Sequence, residues 1–283
     1  NVVSTLKAAI VYADKIATVS YTHRDELLTS DNEHGLSPIL ELRRDDFIGI
    51  LNGIDYGEFN PKTDSAIAYG YNGVNVTRGK DENKRALLKQ FHLPDRGQPV
   101  FGLVSRLTWQ KGIRLVLAKA RHIVGNGGSI IILGSGEREL EQEIEWMRGQ
   151  MSDNVGIYIG YSNELAHLIY AGSDFFLMPS LFEPCGIGQL IAQRYGTLPI
   201  VRLTGGLKDT VVGYSGWNLE EATGFGFEHF DEYGMQYGLD LALSLYQDKE
   251  ALLKMRRNAM KLDRTWKKSA LDYIGLYRDI QER

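Results

Sequence analysis

The sequence predicts an α/β fold, a Rossmann-like parallel sheet with helices on both faces. Three observations lead there. From residue 100 onward, short continuously apolar runs such as Ile130-Ile131-Ile132-Leu133 alternate with longer stretches of helical spacing. Strands that are apolar at every position are those covered on both faces, which is how parallel sheets are buried. The runs end in glycine-rich or polar turns, as short strand-to-helix connections do. Crossovers in such a sheet are right-handed and ligands bind outside the carboxyl ends of the strands. The informative residues are therefore those just after each strand.

The elements follow in order. Residues 6–13 have helical spacing, and Lys15-Ile16-Ala17-Thr18-Val19-Ser20 is a short β-branched run, hence a strand. Residues 22–28 read as a helix opened by Thr22 and Asp25 in a capping-box relation, and 31–37 as a polar loop. Residues 48–55 read as a strand closed by an Asn52-Gly53 turn. Residues 60–78, dominated by Gly, Asn, Thr, Tyr and Asp, are the linker candidate before a helix over 80–91. The alternation then places strands at 100–105, 129–133, 155–159, 174–178 and 198–201, with a shorter one at 224–227. Helices are expected between them at 112–124, 137–151, 163–171 and 187–195. Three more close the chain, at 232–246, 249–262 and 270–280.

Bulk properties narrow the function. With 283 residues, 43% of them hydrophobic, the chain suits one or two domains with a substantial core. A net charge of -4 leaves no basic footprint for nucleic acid or an anionic membrane. No apolar run approaches the roughly 20 residues of a membrane span. The single cysteine excludes an internal disulfide and a cysteine-built zinc site, and suits a reducing, cytoplasmic compartment. The six histidines are scattered without an HxxxH pair. Asn75-Val76-Thr77 is a sequon without a signal peptide and is read as nothing. The chain opens at Asn1 without an initiator Met or a secretory leader, and is read as a piece of something longer.

The strand ends carry one set of polar residues. After the strand at 100–105 come Arg106 and Lys111, five apart around a helix start, where both reach an anion held at that edge. Alone, two solvated surface charges are an equally good reading. Glycine pairs at 134/136, 186/188 and 205/206 allow backbone N–H groups to approach a ligand, and a following helix favours phosphate. Gly134-Ser135-Gly136-Glu137 lacks the third glycine of the dinucleotide fingerprint, which argues against a nicotinamide enzyme. Tyr161 ends another strand, as a stacking platform or as a core tyrosine with a wet hydroxyl. Two cations, three glycine turns, an aromatic and the carboxylate of Glu183 thus converge on one edge. A diphosphate-linked sugar would use all of them.

Glu183 discriminates among chemistries. A glycoside hydrolase flanks its bond with two carboxylates, and only Glu183 stands in this set; Asp174 opens a strand at the opposite edge and Asp209 lies beyond the last glycine pair. Cys185 as a nucleophile would need a histidine base, and no histidine falls at these strand ends.

Val104-Ser105-Arg106-Leu107-Thr108-Trp109-Gln110-Lys111-Gly112, Ile159-Gly160-Tyr161, Pro179-Ser180-Leu181-Phe182-Glu183-Pro184-Cys185-Gly186 and Tyr195-Gly196-Thr197-Leu198-Pro199-Ile200-Val201-Arg202-Leu203-Thr204-Gly205-Gly206-Leu207-Lys208-Asp209-Thr210-Val211 resemble the bacterial glycogen synthase and plant starch synthase family. Tyr12-Ala13-Asp14-Lys15-Ile16-Ala17-Thr18-Val19-Ser20 and Leu51-Asn52-Gly53-Ile54-Asp55 match as well, in the right order. The resemblance implies a two-domain GT-B fold, with this chain its C-terminal half. It implies retaining transfer of glucose from ADP-glucose to the non-reducing 4-hydroxyl of an α-1,4-glucan, without a metal. By motif, Arg106 and Lys111 would neutralise the diphosphate and Glu183 would face the glucosyl unit. Backbone N–H groups of Cys185, Gly186 and Ile187 would hold sugar hydroxyls. Thr204, Gly205, Gly206 and Leu207 would lie by the phosphates, and Tyr161 would flank the adenine.

Residues 1–55 would be the end of an otherwise missing N-terminal acceptor domain plus the crossover, and 56–283 the donor-binding domain with its closing helices. The family's Lys-Thr-Gly-Gly-Leu motif is absent; the Thr-Gly-Gly-Leu at 204–207 is the only one. Gly188 stands where many relatives have Thr, and Tyr21 where the family has Pro. Two other readings stay open: a different GT-B nucleotide-sugar enzyme (another transferase or an epimerase), and a non-catalytic nucleotide-binding module.

Overall fold

The computed structural model describes residues 4–29 and 35–282. Six strands form one all-parallel sheet: β3 (Val100–Val104), β4 (Ser129–Gly134), β5 (Val155–Ile159), β6 (Phe175–Met178), β7 (Leu198–Arg202) and β8 (Phe225–Phe227). Their spatial order is β5-β4-β3-β6-β7-β8. The chain winds outward from β3 in one direction, then returns to set β6 on the free side of β3 and winds the other way. The boundary between β3 and β6 is the topological switch point, where open sheets of this kind hold ligands.

The helices cover both faces. They are α4 (Val76–Gln90), α5 (Ile113–Gly125), α6 (Arg138–Gln150), α7 (Asn163–Gly172), α8 (Gly188–Arg194) and α9 (Gly205–Thr210), followed by α10 (Glu232–Gln247), α11 (Lys249–Lys261) and α12 (Trp266–Gln281). Alternate residues of each strand feed different cores, which is why the strands read as continuous apolar runs. Ile130 and Ile132 pack with α5, α6 and α10, whereas Ile131 and Leu133 pack with Leu87 and Leu88 of α4 and Ile169 of α7. On β6, Phe175 joins the first core and Phe176 packs with Leu190 and Ile191 of α8. At the amino end of the sheet Asp174 is buried. It accepts from the backbone of Val100 at 2.8 Å and pairs with Lys84 and Arg256, both at 2.6 Å.

The described residues up to Gly49 form a separate layer. α1 (Thr5–Tyr12), β1 (Ile16–Thr18), α2 (Tyr21–Leu28), α3 (Ser37–Glu41) and β2 (Phe47–Gly49) surround a small core of Ile10, Leu40 and Phe47. β1 and β2 pair parallel in a two-stranded sheet of their own.

Several expectations need correction. The strand expected over 48–55 is only Phe47–Gly49; beyond it the chain leaves the sheet, and Ile54 donates to Arg264 at 2.7 Å ahead of α12. Thr22 does not open α2: Ser20 caps it by accepting from the His23 N–H at 3.1 Å, because Thr22 is engaged by Asp209. Of the loop expected over 31–37, residues 31–34 lie outside the described residues and Ser37 already opens α3. The stretch read as a linker is irregular but packed, and α4 begins at Val76 rather than at 80. The Tyr71 hydroxyl, buried with its ring, donates to Tyr195 O at 2.7 Å, and Asp64 meets the His167 ring at 2.7 Å. Gly, Asn and Pro set an irregular backbone there, while the aromatics between them find buried partners.

Candidate active site

Two loops meet at the switch point. The first leaves β3 and carries Ser105, Arg106 and a short 3₁₀ turn, Trp109–Lys111, before α5. Gly112 ends that turn at φ +68°, and a Cβ there would lie 2.0 Å from Pro179 O of the second loop. Only glycine allows this contact. The second loop leaves β6 and runs through Ser180 and Glu183 to α8. Leu181 N–H donates to Gln110 O at 2.8 Å, and Gln110 Nε2 donates to Phe182 O at 3.0 Å. Trp109 sits edge-on to Phe182, with ring centroids 5.9 Å apart. The loops are thus zipped together, and the chemistry of both faces one cleft.

That cleft has a volume of about 210 Å³ and is lined by Arg106, Lys111, Ser180, Glu183, Gly186 and Gly188, with Ile187 and the ends of β3 and β6. The Lys111 ammonium lies 2.6 Å from Glu183 Oε2, which also accepts from the Ser180 hydroxyl at 3.0 Å. Glu183 is 7% exposed, so the carboxylate is held by two charge-matched or polar donors in a place poor in water. Arg106 stands exposed at the rim. Glu183 is the only acidic residue lining the cleft among the described residues. The two-carboxylate arrangement of a hydrolase is therefore not assembled here.

The remaining sequence-predicted residues separate into two groups. Gly186 and Ile187 line the cleft beside Glu183. Cys185 is buried; desolvation pushes its thiol up, against a lowering backbone hydrogen bond from Asn52, which disfavours the nucleophilic thiolate. Tyr161 is 86% exposed at the end of β5, two strands from the switch, or about 10 Å along the sheet edge.

Thr204, Gly205, Gly206 and Leu207 do not line the cleft. They are buried behind the Glu183 loop and open α9, a helix that two adjacent glycines conceal in the sequence. The Gly206 N–H donates to Glu183 O at 3.1 Å, and a Cβ on Gly205 would lie 1.9 Å from that same oxygen. The turn is closed from outside by Glu26 of α2, whose Oε1 accepts from Thr204 Oγ1 at 2.8 Å and Gly205 N at 2.9 Å. The expected position beside a phosphate is in this structure taken by a side-chain carboxylate.

α2 is fastened at two further points, one on the loop and one on α9. Ser20 Oγ donates to Pro184 O at 2.6 Å. Asp209 accepts from the Thr22 hydroxyl at 2.6 Å and from its N–H at 3.0 Å, which accounts for that carboxylate structurally. Burial opposes ionisation of Glu26, yet the nearby His23 ring, 3.6 Å away, and hydrogen bonds from Gly205 and Thr204 hold its carboxyl below the usual range. Sequence reasoning missed Ser20, Glu26 and Ser180. Ser180 lay within a quoted motif, three residues before Glu183; nothing local marks Glu26, whose partners are nearly two hundred residues away.

Comparison with known proteins places the chain in a family. A family model described as "Glycosyl transferases group 1" matches residues 84–261. The chain belongs to that family. A second model, "Starch synthase catalytic domain", matches residues 1–42. A glycogen synthase from Bacillus cereus (strain Q1) is 44% identical over 281 residues, 99% of this chain and 59% of that protein. One from Anoxybacillus flavithermus is 46% identical over 279 residues, 98% of this chain and 57% of that protein. The chain thus spans about three-fifths of the length of the curated relatives it matches. Among solved structures, the catalytic domain of starch synthase IV from Arabidopsis thaliana, bound to ADP and acarbose, superposes with a TM-score of 0.93 at 37% identity, covering 98% of this chain and 58% of that one. The fold is accordingly that of a GT-B glycosyltransferase. A sucrose-phosphate synthase from Thermosynechococcus elongatus, 21% identical with a TM-score of 0.65, shares the fold alone. Among the described residues no helix is long and apolar enough to cross a membrane.

Proposed function

We propose that this chain is the donor-binding portion of a glycogen synthase. The complete enzyme transfers glucose from ADP-glucose to the non-reducing 4-hydroxyl of an α-1,4-glucan, with retention, in the cytoplasm and without a metal ion. Residues 56–283 hold the donor, and residues 1–55 end the acceptor domain and cross between the two. The observation that carries this reading is the lone carboxylate Glu183, paired at 2.6 Å with Lys111 in a cleft that Arg106 also lines. One carboxylate and two cations suit departure of a diphosphate better than hydrolysis between two acids.

Arg106 and Lys111 neutralise the diphosphate as the bond from its oxygen to the glucosyl carbon breaks. Preorganised charge of this kind is usually the largest single catalytic contribution. Lys111 is already held by Glu183, so its ammonium is shared between the carboxylate and the incoming phosphates. Glu183 orients the glucosyl hydroxyls and faces the positive charge that develops on the ring. Backbone N–H groups of Cys185, Gly186 and Ile187 approach sugar oxygens, and Tyr161 flanks the base at the rim. The Thr204–Leu207 turn acts from behind, by fixing the backbone of Glu183. ADP and acarbose in the starch synthase IV structure support a nucleotide sugar and a glucan as substrates.

Alone, this chain should bind donor weakly and not turn over. Acceptor positioning comes from the other half, and positioning is worth about 7–11 kcal/mol of barrier. The decisive experiment is Glu183→Ala in the full-length enzyme. A loss of kcat far beyond any loss of ADP-glucose affinity supports the reading. Intact turnover would instead identify a nucleotide-binding module. Calorimetric titration of this chain with ADP-glucose and UDP-glucose separates the donors, and a preference for UDP-glucose would point to another GT-B enzyme.

A further inference from the structure

The far end of α8 opens onto a second concave site that the donor cleft does not use. A groove of about 570 Å³ lies between the 60–74 loop and the ends of α8 and α11. Its lining includes four cations, Lys62, Arg194, Arg257 and Lys261, and no Asp or Glu. Arg194 is half-buried and Lys62, Arg257 and Lys261 are exposed at the groove's rim. None of the four has a carboxylate within ion-pair distance among the described residues. In a chain of net charge -4 this is a local concentration of unbalanced positive charge.

Its construction costs stability. Arg257 and Lys261 stand four apart on α11, and like charges at that spacing repel. Arg194 is held in place: one terminal nitrogen donates to Asn60 Oδ1 at 3.2 Å and the guanidinium lies 4.1 Å over the Tyr56 ring. Its Nε is buried without a partner. Arg257 Nε is fixed by Gly73 O at 3.1 Å. Two oriented guanidinium groups and two flexible ammonium groups supply charged donors of the kind a phosphate dianion accepts from. Apolar wall from Met260 and Tyr71 accompanies the charge, and the volume lies in the range of small-molecule sites, well above what a single bound ion fills.

We propose that this groove binds the phosphate group of a small phosphorylated molecule. It is distinct from the donor cleft: Arg194 ends the helix that begins at Gly188 in that cleft, and seven residues of α-helix separate them by about 10 Å. Both sites can therefore be filled at once.

The test uses the 283-residue chain carrying Arg106→Ser, which removes a donor-cleft cation and leaves the groove intact. Inorganic phosphate, a hexose monophosphate and the uncharged methyl hexoside are titrated calorimetrically. Saturable binding of the phosphorylated probes but not of the hexoside is expected. A Lys62→Ser/Lys261→Ser double variant, in which neither side chain anchors the fold, should keep its circular dichroism and its melting temperature without ligand. It should weaken binding about tenfold or more. Tighter binding of the hexose monophosphate than of phosphate assigns the groove to a phosphorylated metabolite; equal binding assigns it to free phosphate. No saturation up to about 10 mM, or unchanged binding by the double variant, overturns the proposal. Neither result bears on Glu183 or the donor cleft.

Discussion

Replacing Glu26 by Ala tests whether the N-terminal layer holds the site together. The carboxylate accepts two hydrogen bonds, from Thr204 Oγ1 at 2.8 Å and Gly205 N at 2.9 Å. Bonds to a charged group contribute about 1.5–3 kcal/mol each when fully buried. The Glu26 side chain is 37% exposed, so water recovers part of that, and about 2 kcal/mol in total is expected for Glu26→Ala. Glu26→Gln keeps an acceptor oxygen and should lose about half as much. Urea denaturation of the 283-residue chain reads the change directly. Hydrogen exchange at the Gly205 and Gly206 amides reads it locally, with about 30-fold faster exchange expected for a 2 kcal/mol loss. The pH dependence has a defined sign. Because the folded carboxyl is held below its usual range, its contribution is complete above the unfolded pKa of about 4.3 and fades as pH falls through the lower folded value. The difference between wild type and Glu26→Ala should therefore narrow in acid. An Ala variant within about 0.3 kcal/mol of wild type, with Gly205 protection unchanged, would refute the idea that α2 secures the Glu183 loop.

Other perturbations have equally specific outcomes. Asp174→Asn leaves Lys84 and Arg256 buried without their counter-charge and should cost about 3–5 kcal/mol in chemical denaturation, while ADP affinity of the folded protein is unchanged. Gly112→Ala forces a side chain into left-handed backbone and against Pro179 O, so at least about 2 kcal/mol of stability should be lost together with ADP binding. Tyr161→Ala touches an exposed ring: stability should stay within about 0.5 kcal/mol, while ADP binding weakens roughly tenfold by calorimetry. Unchanged affinity would remove Tyr161 from the base-binding role.

Most of the sheet and the heart of the cleft were legible in the sequence because both rest on local patterns. Continuous apolar runs marked all six parallel strands within a residue or two, and the residues after them included Arg106, Lys111 and Glu183. Strand order was not legible. Nothing in the sequence around 174–178 says that β6 returns to the free side of β3, yet that return brings Glu183 to Lys111. The linker reading of 60–78 missed the packing because composition governs backbone shape and not burial: Asp64 finds a partner on α7 and Tyr71 one just beyond α8. α9 was hidden by Gly205 and Gly206, poor helix formers that are required where the turn presses on the Glu183 and Cys185 carbonyls. The placing of that turn by the phosphates came from the family resemblance, and the contact with Glu26 was not legible because it joins residues 178 and 179 positions apart.

The strand order also sets a sequence of events during synthesis. Lys111 and Glu183 are 72 residues apart, and the chain between them contains β4 and β5, which add to the opposite side of β3. A nascent chain released as far as β5 can complete that side of the sheet while the other edge of β3 stays unpaired. An open parallel edge of apolar residues is a template for wrong pairing. The segment that covers it is the one that delivers Glu183. Maturation of the cleft and protection of the growing sheet from aggregation are therefore one step, and variants that delay docking of β6 should lower soluble yield before they alter the finished protein.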